Sequence, residues 1–416
     1  MTITGDWDRR ISRRTLLKTG GSLVAGATLA GSLAPRAFGA PPFAFVSCQN
    51  YPDGFFTPYA DVVASDLDTV VHLGDYIYEG PAATFRSHAP LREIFSLEDY
   101  RIRHGQYKTD LDLQAAHAAL PWLVTWDDHE VDNNYADGEA DPDAPPEQFL
   151  ARRAAAYQAY WEHMPLGRAR KPQGPYFNLY RRFRWGAMAT FNVLDTRQYR
   201  SDQPPGCTDA QRDPSGYCPG ALEPGRTMLG AEQRQWLYDE LATTTARWNV
   251  LANQTALAPF DRDPDPAARE FGAGDNWDGY VAERQALLDW LVARRTPNPI
   301  VITGDSHQNW VRNVPPDSDE FDAPPVATEF MGTSVSTGGD PAAPFVRYQD
   351  DPDNPHIVFR NNNRGYVRCT PDAGAWTSEY RTVPTVRQRP VPAATAATVA
   401  VENGRAGARS AGGPAV

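Results

Sequence analysis

No stretch beyond the first forty residues approaches the roughly 18 apolar residues that a membrane-spanning helix needs, so no integral membrane segment is expected. Positive charge is also in short supply. Forty Lys and Arg stand against 52 Asp and Glu, for a formal net charge of −12. Nonspecific nucleic-acid binding relies on Lys and Arg to neutralise phosphate, so stable nucleic-acid binding is not expected. A site that handles phosphate in such a chain must use bound cations to reverse the local sign. Cysteine is scarce, at four residues, and internal repeats are absent.

What is present describes a soluble globular protein: 416 residues, 41% hydrophobic and 22% charged, with 11 Trp, 18 Tyr and 37 Pro giving a loop-rich, aromatic-lined character. The run Ser12-Arg13-Arg14-Thr15-Leu16-Leu17-Lys18, followed by GGSLVAGATLAGSLA and a small-residue stretch ending near Ala40, reads as a twin-arginine signal peptide over residues 1–40. The expected partner is the twin-arginine export machinery, and the expected location is periplasmic or extracellular. Residues 1–40 carry six basic and two acidic side chains, so their removal leaves a more acidic protein. In an exported chain, Cys207 and Cys218, bracketing the polar loop CTDAQRDPSGYC, read as a local disulfide. Cys369 reads as an inert core thiol. Residues 41–384 show no break and read as one domain, and the Ala/Pro/Gly-rich tail 385–416 is expected to be disordered.

Apolar, strand-like runs occur at 43–48, 68–74, 122–126, 187–195, 248–254, 299–305, 326–334, 356–359 and 365–369, with helix-like stretches at 57–66, 97–119, 146–162, 230–245 and 281–294. This alternation argues for an α/β sheet covered by helices, and the last four runs, with little helix between them, for an antiparallel portion.

Several runs end in turns rich in metal-ligating side chains, where open α/β sheets present ligands. FVSC ends at Cys48, which is either a thiolate ligand or a buried core cysteine. GDYIYEG brings Asp75 and Tyr78 past a strand end, where a carboxylate can bridge cations and a phenolate can bind ferric ion. TWDDHEVDNN crowds Asp127, Asp128, His129, Glu130, Asp132, Asn133 and Asn134 together, and such groups repel one another unless cations or hydrogen bonds intervene. GDSHQN supplies Asp305 and His307, which can ligate neighbouring metals. Within LDTRQYR, Arg197 could clamp a phosphate oxygen bidentately, and Arg200 fits a salt bridge. GDNWDGY, with Asp275 and Asn276, fits helix capping as well as a pocket rim, and GTSVSTGG reads only as a tight turn. GDS also admits a GDSL-type serine esterase, with Ser306 as nucleophile and Asp353 and His356 at the matching late spacing.

Taken in order over about residues 43–370, the twin-arginine signal, Cys48, GDYIYE, WDDHEVDNN, LDTRQYR, GDSH and EFxGTS resemble the PhoD-type alkaline phosphatase/phospholipase D family of calcineurin-like metallophosphoesterases. The resemblance implies a four-layer α/β/β/α sandwich of mixed sheets and a metallophosphoesterase catalytic domain over residues 41–384. It also implies hydrolysis of small-molecule or lipid phosphate esters, by monoesterase or diesterase action, through metal-activated hydroxide. Fe3+ and Ca2+ are the implied metals, with Zn2+ or Mn2+ as substitutes that the donor set also admits. Carried over residue by residue, Cys48, Asp75, Tyr78 and His307 would surround the iron. Asp75 would bridge to calcium, completed by Asp127 or Asp128, Asn134 and Asp305. His129 would ligate metal or protonate the leaving group. The β-sandwich domain that often precedes the catalytic domain in this family is expected to be missing. A non-catalytic metal-binding secreted protein is the remaining alternative.

Overall fold

The computed structural model describes residues 40–140, 145–263, 265, 267–272, 274–318, 320–341 and 353–410. The proposed twin-arginine signal, apart from Ala40, and the last six residues of the expected tail lie outside the described residues.

Among the described residues two seven-stranded sheets face each other. The first has the order β14-β13-β12-β11-β1-β2-β3, from β1 (Phe43–Val46), β2 (Thr69–His72), β3 (Trp122–Val124), β11 (Gly365–Pro371), β12 (Ala375–Thr382), β13 (Ala394–Glu402) and β14 (Ala408–Ser410). The second has the order β10-β8-β9-β7-β6-β5-β4, from β4 (Arg181–Trp185), β5 (Ala189–Val193), β6 (Trp248–Ala252), β7 (Pro299–Thr303), β8 (Asn309–Val314), β9 (Ala327–Met331) and β10 (Ile357–Asn361). Parallel pairing joins β1, β2 and β3, and likewise β5, β6, β7 and β9. The other pairs are antiparallel, including β1 with β11 and β8 with β9. Both sheets are thus mixed, as the closely spaced late runs suggest.

Among the described residues six α-helices cover the outer faces: α1 (Pro58–Ala64), α2 (Leu97–Tyr107), α3 (Leu111–Ala119), α4 (Pro146–His163), α5 (Gly230–Ala242) and α6 (Val281–Arg294). Side-chain alternation along β1 shows the layering. Phe43 and Phe45 enter a core shared with Phe191, Val250, Ile300 and Ile302 of the second sheet, whereas Ala44 and Val46 pack with Tyr59, Tyr100, Leu113 and Tyr160 from α1 to α4. On the far side, Leu251 and Val301 pack with Leu237 and Leu241 of α5 and Leu287, Leu288 and Leu291 of α6. The result is the four-layer α/β/β/α sandwich. Edge contacts of Phe43 with Phe191 (5.1 Å) and Trp376 (5.6 Å) lie in the middle core.

The single helix expected over 97–119 is two. Asp110 breaks it by capping α3, its Oδ1 accepting from the amides of Asp112 (3.1 Å) and Leu113 (3.3 Å). The disulfide expected between Cys207 and Cys218 is present. The tail needs correction: within residues 385–416, 394–402 and 408–410 are the strands β13 and β14. Ala-rich composition conceals them, because their stability comes from backbone pairing with β12 and from only a few buried side chains, Val399, Val401 and Ala408, in the core between the sheets. Strand β12 itself alternates buried Trp376, Ser378, Tyr380 and Thr382 with partly exposed neighbours.

A chain truncated after Pro392 loses two core valines, worth about 3–6 kcal/mol at roughly 1.5–3 kcal/mol each, and leaves β12 as an unpaired edge. The thermal midpoint should fall by several degrees with new light scattering on heating; a midpoint equal to that of the full chain would contradict the structural role of the tail.

Candidate metal centre

The strands β1, β2, β3, β5 and β7 all end toward one site, and the backbone there is unusual. Among the described residues, Cys48 (φ 58°), Asp75 (57°), Asn134 (56°), Asp305 (62°) and His307 (56°) are non-glycine residues in the left-handed region. Each such residue costs of order 1–2 kcal/mol in L-amino acids, and strain of this kind collects at functional sites. Glycines let the turns approach each other. Gly74 has φ +117°, and a Cβ there would overlap Asp127; a Cβ at Gly304 would overlap the Ser47 side chain. Further bonds tie the turns together, with Cys48 N donating to Gly74 O (3.1 Å), Gly304 N to Gln254 O (2.9 Å) and Val335 N to Ser47 O (3.0 Å).

Among the described residues this arrangement produces three adjoining groups of metal-ligating atoms: Cys48, Asp75 and His307; Asp75, Asp128 and His129; and Asp127, Asp128 and Asp305. Within each group the atoms lie within 4.8 Å of one another. Asp75 and Asp128 each belong to two groups. Tyr78 joins the first: its hydroxyl donates to Asp75 Oδ2 (2.9 Å) and lies 3.3 Å from His307 Nε2. Thr337 of GTSVSTGG completes that corner, its Oγ1 bonding the Tyr78 hydroxyl (2.9 Å) and the Cys48 carbonyl oxygen (2.7 Å).

Of the residues singled out from sequence, Cys48, Asp75, Tyr78, Asp127, Asp128, His129, Arg197, Asp305 and His307 converge. Asn134 is exposed and joins through its backbone: its N–H donates to Asp128 Oδ2 (2.7 Å) and its carbonyl accepts from Arg200 (2.7 Å). Arg197 differs from the expected phosphate clamp. It is fully buried, with Nε on Asp127, Nη1 on Asp275 (2.5 Å) and Nη2 near Asp305 (3.4 Å) and Asp128 (3.5 Å). Arg200 forms a salt bridge as expected, to Asp275 (2.7 Å). GDNWDGY divides its work, since Asn276 caps the short turn by accepting from Asp278 N (3.0 Å) while Asp275 meets the arginines. Glu79, which sequence reasoning passed over, binds His129 Nδ1 (2.7 Å) and accepts from Asn133 N (2.9 Å). Its place at the end of GDYIYE was the available signal.

The serine-esterase arrangement is not assembled. Ser306 is exposed, whereas His356 is buried against Phe321 (4.3 Å) with Nε2 on the Pro259 carbonyl oxygen (2.9 Å).

Electrostatics set out the need for cations. Burial raises Asp75 well above the usual carboxylate range, against the pull of His129 and with the push of Asp128 and Asp127. Burial and then Asp275 lift Asp305 to about 7. Burial also lifts the Cys48 thiol and the Tyr78 phenol, with Asp75 adding to both. Burial alone would raise Asp128, but Arg197 and His129 hold it below the usual range. For His129, burial opposes the charge, yet Glu79, Asp128 and Asp75 together raise it well above an ordinary imidazole. Burial, then Arg364 and His129, lower His307 to about 3, so its ring is neutral and able to donate a lone pair. Asp75 Oδ1 is buried without a hydrogen-bond partner among the described residues. Buried acids kept from ionising, a neutral imidazole and an orphaned carboxylate oxygen together fit bound cations.

Two facing mixed sheets between helical layers, with carboxylates, imidazoles, a thiol and a phenol gathered at their strand ends, define the metallophosphoesterase-like class. The model of the PhoD-like phosphatase family matches residues 43–380, and the chain belongs to that family. It is 44% identical over 377 residues to alkaline phosphatase D of Bacillus subtilis (strain 168), covering 88% of this chain and 63% of that protein; it therefore spans less than two thirds of that relative's length. It also superimposes on a solved structure of PhoD with a TM-score of 0.82 at 41% identity, covering 91% of this chain and 73% of the other.

Metal removal gives a pH test. Asp305 stands at about 7, above the roughly 4 of unfolded carboxylates, so the folded cation-free protein keeps a proton that the unfolded chain has lost. That stabilisation is fully present below about pH 4 and is lost as pH rises through about 7. In chelator, the thermal midpoint should drop between pH 5 and pH 8 and recover when divalent cation is added. A flat profile would mean that Arg197 and His129 alone balance the carboxylates.

Proposed function

We propose that the chain is an exported, metal-dependent phosphoester hydrolase, an alkaline phosphatase acting on phosphomonoesters or phosphodiesters of small molecules or lipids. The observation that carries this reading is the sharing of Asp75 and Asp128 between adjoining donor groups, the arrangement required to hold cations side by side against one phosphate. Family membership supports it. For the metals, Cys48, Asp75, Tyr78 and His307 would hold Fe3+, because thiolate, phenolate and imidazole suit a transition metal. Asp127, Asp128 and Asp305, with Asp75 and Asn134, would hold Ca2+, which prefers oxygen ligands. Zn2+ or Mn2+ would be tolerated substitutes. When bound, such cations neutralise phosphate charge and lower the pKa of water toward neutrality.

The chain's own residues do the rest. Glu79 holds Nδ1 of His129, which leaves Nε2 to deliver a proton to the departing alkoxide. Arg197 fixes Asp127 and Asp305 from opposite sheets and balances their charge. Tyr78 and Thr337 close the Cys48 corner. Export is supported by the paired arginines and the weakly apolar run after them, and no helix among the described residues is long and apolar enough to cross a membrane.

The test is release of nitrophenol from p-nitrophenyl phosphate, and from its bis ester, at alkaline pH, before and after EDTA and with calcium returned. Activity should disappear with chelator and come back with calcium. Asp75→Ala should shed metal and lower turnover by roughly 10³-fold, the scale of several kcal/mol from charge stabilisation, whereas Ser306→Ala should stay within about threefold of wild type. Folded, metal-loaded protein inert toward both esters would overturn the reading.

A further inference from the structure

Glu130 lies between the two turns that supply most of the donors, yet it belongs to none of the three donor groups among the described residues. It is 1% exposed. Its Oε2 accepts from Asp75 N (3.0 Å) and from Asp127 N (2.8 Å), and its Oε1 accepts from Tyr76 N (2.5 Å). Asp75 is 55 residues away in sequence and Asp127 only three. A single oxygen therefore joins the turn after β2 to the turn after β3.

The amide it holds at Asp75 belongs to a residue in the left-handed region, at φ 57°. Such a backbone persists only where its surroundings over-determine it. A carboxylate accepting several backbone N–H bonds is a strong way to do that, because charged acceptors make shorter and stronger bonds. Neutral substitutes match it poorly. An amide side chain could keep one oxygen against Asp75 and Asp127, but its NH2 would then face the N–H of Tyr76, donor against donor.

We propose that Glu130 is a positioning residue: it sets the separation of Asp75 from Asp127, and hence the spacing at which cations are shared between donor groups, without touching cation or substrate. This rests on the metal-site reading above, and it adds a residue whose effect travels through backbone amides rather than through a ligand.

The experiment uses the full chain, wild type and Glu130→Ala, with hydrogen exchange at the amides of Asp75, Tyr76 and Asp127 measured in EDTA, followed by calcium titration and steady-state kinetics. In Glu130→Ala those three amides should exchange at least tenfold faster while amides within β1, β6 and β7 stay protected. Calcium affinity should weaken by about 10- to 100-fold, the usual effect of losing an outer-shell partner. At limiting calcium, kcat should fall with KM nearly unchanged, and excess calcium should restore part of it. If Glu130→Ala does not fold, Glu130→Asp carries the same measurements, since the shorter side chain keeps the charge but cannot span both turns. Unchanged exchange at the three amides, or loosened amides with wild-type calcium affinity, overturns the proposal. A folded wild type that takes up no metal overturns both this proposal and the metallohydrolase reading; wild-type uptake with an indifferent variant overturns this one alone.

Discussion

Buried like charges that cannot be separated are the constraint on which the rest of this structure depends. Asp75, Asp127, Asp128 and Asp305 are packed into three overlapping groups, with Asp275 adjoining. Carboxylates so close and so dry cannot all ionise without positive charge among them. The protein supplies some of that charge. Arg197 reaches four of the five, and His129 is charged against Glu79 and Asp128. What remains uncompensated is concentrated around Asp75, whose Oδ1 has no partner among the described residues and whose neighbours Cys48 and Tyr78 also resist ionisation. That residual demand is what suits the centre to cations and, under the proposed function, through them to phosphate.

Holding such a cluster together requires a rigid frame, and the sandwich provides it by bringing strand ends from two sheets to one place. The first sheet contributes Cys48, Asp75, Asp127 and Asp128; the second contributes Arg197, Asp305 and His307. Neither half is complete alone. The interdigitated core between the sheets, from Phe43 and Phe45 to Phe191 and Ile302, therefore sets the spacing of the donors as well as much of the stability. The cost of the arrangement is visible as left-handed backbone at five site residues and as glycines where turns nearly touch. The pattern agrees with the general tendency of strained geometry to persist where function needs it and the surrounding fold can support it.

Much of this was legible in the chain. Parallel strands buried on both faces read as continuous apolar runs, which is why β1, β2, β6 and β7 could be placed from FAFV, TVVH, WNVLA and PIVIT. Half-exposed strands were harder. Strand β4 is RRFRW and β12 is AWTSEYRT, where charge and alternation hide the strand, and β13 is built of small residues that look like a tail. In the site, ligand types and the turns that carry them could be read because carboxylates crowded after an apolar run are unstable without partners. The particular partners could not.

Sequence by itself determined which atoms are available to bind metal, and that they sit at strand ends, since local chemistry and period decide both. Only the tertiary structure decided what each side chain meets. Arg197 looked free to hold phosphate, but contacts 70, 78 and 108 residues distant bind it to Asp127, Asp275 and Asp305. Asp275 fits a helix cap or a pocket rim by sequence, and only the fold brings those arginines against it. The physical reason is the same in each case: Coulomb and hydrogen-bond energies act over a few ångströms of space, and which residues share that space is set by how the two sheets pack rather than by their order along the chain.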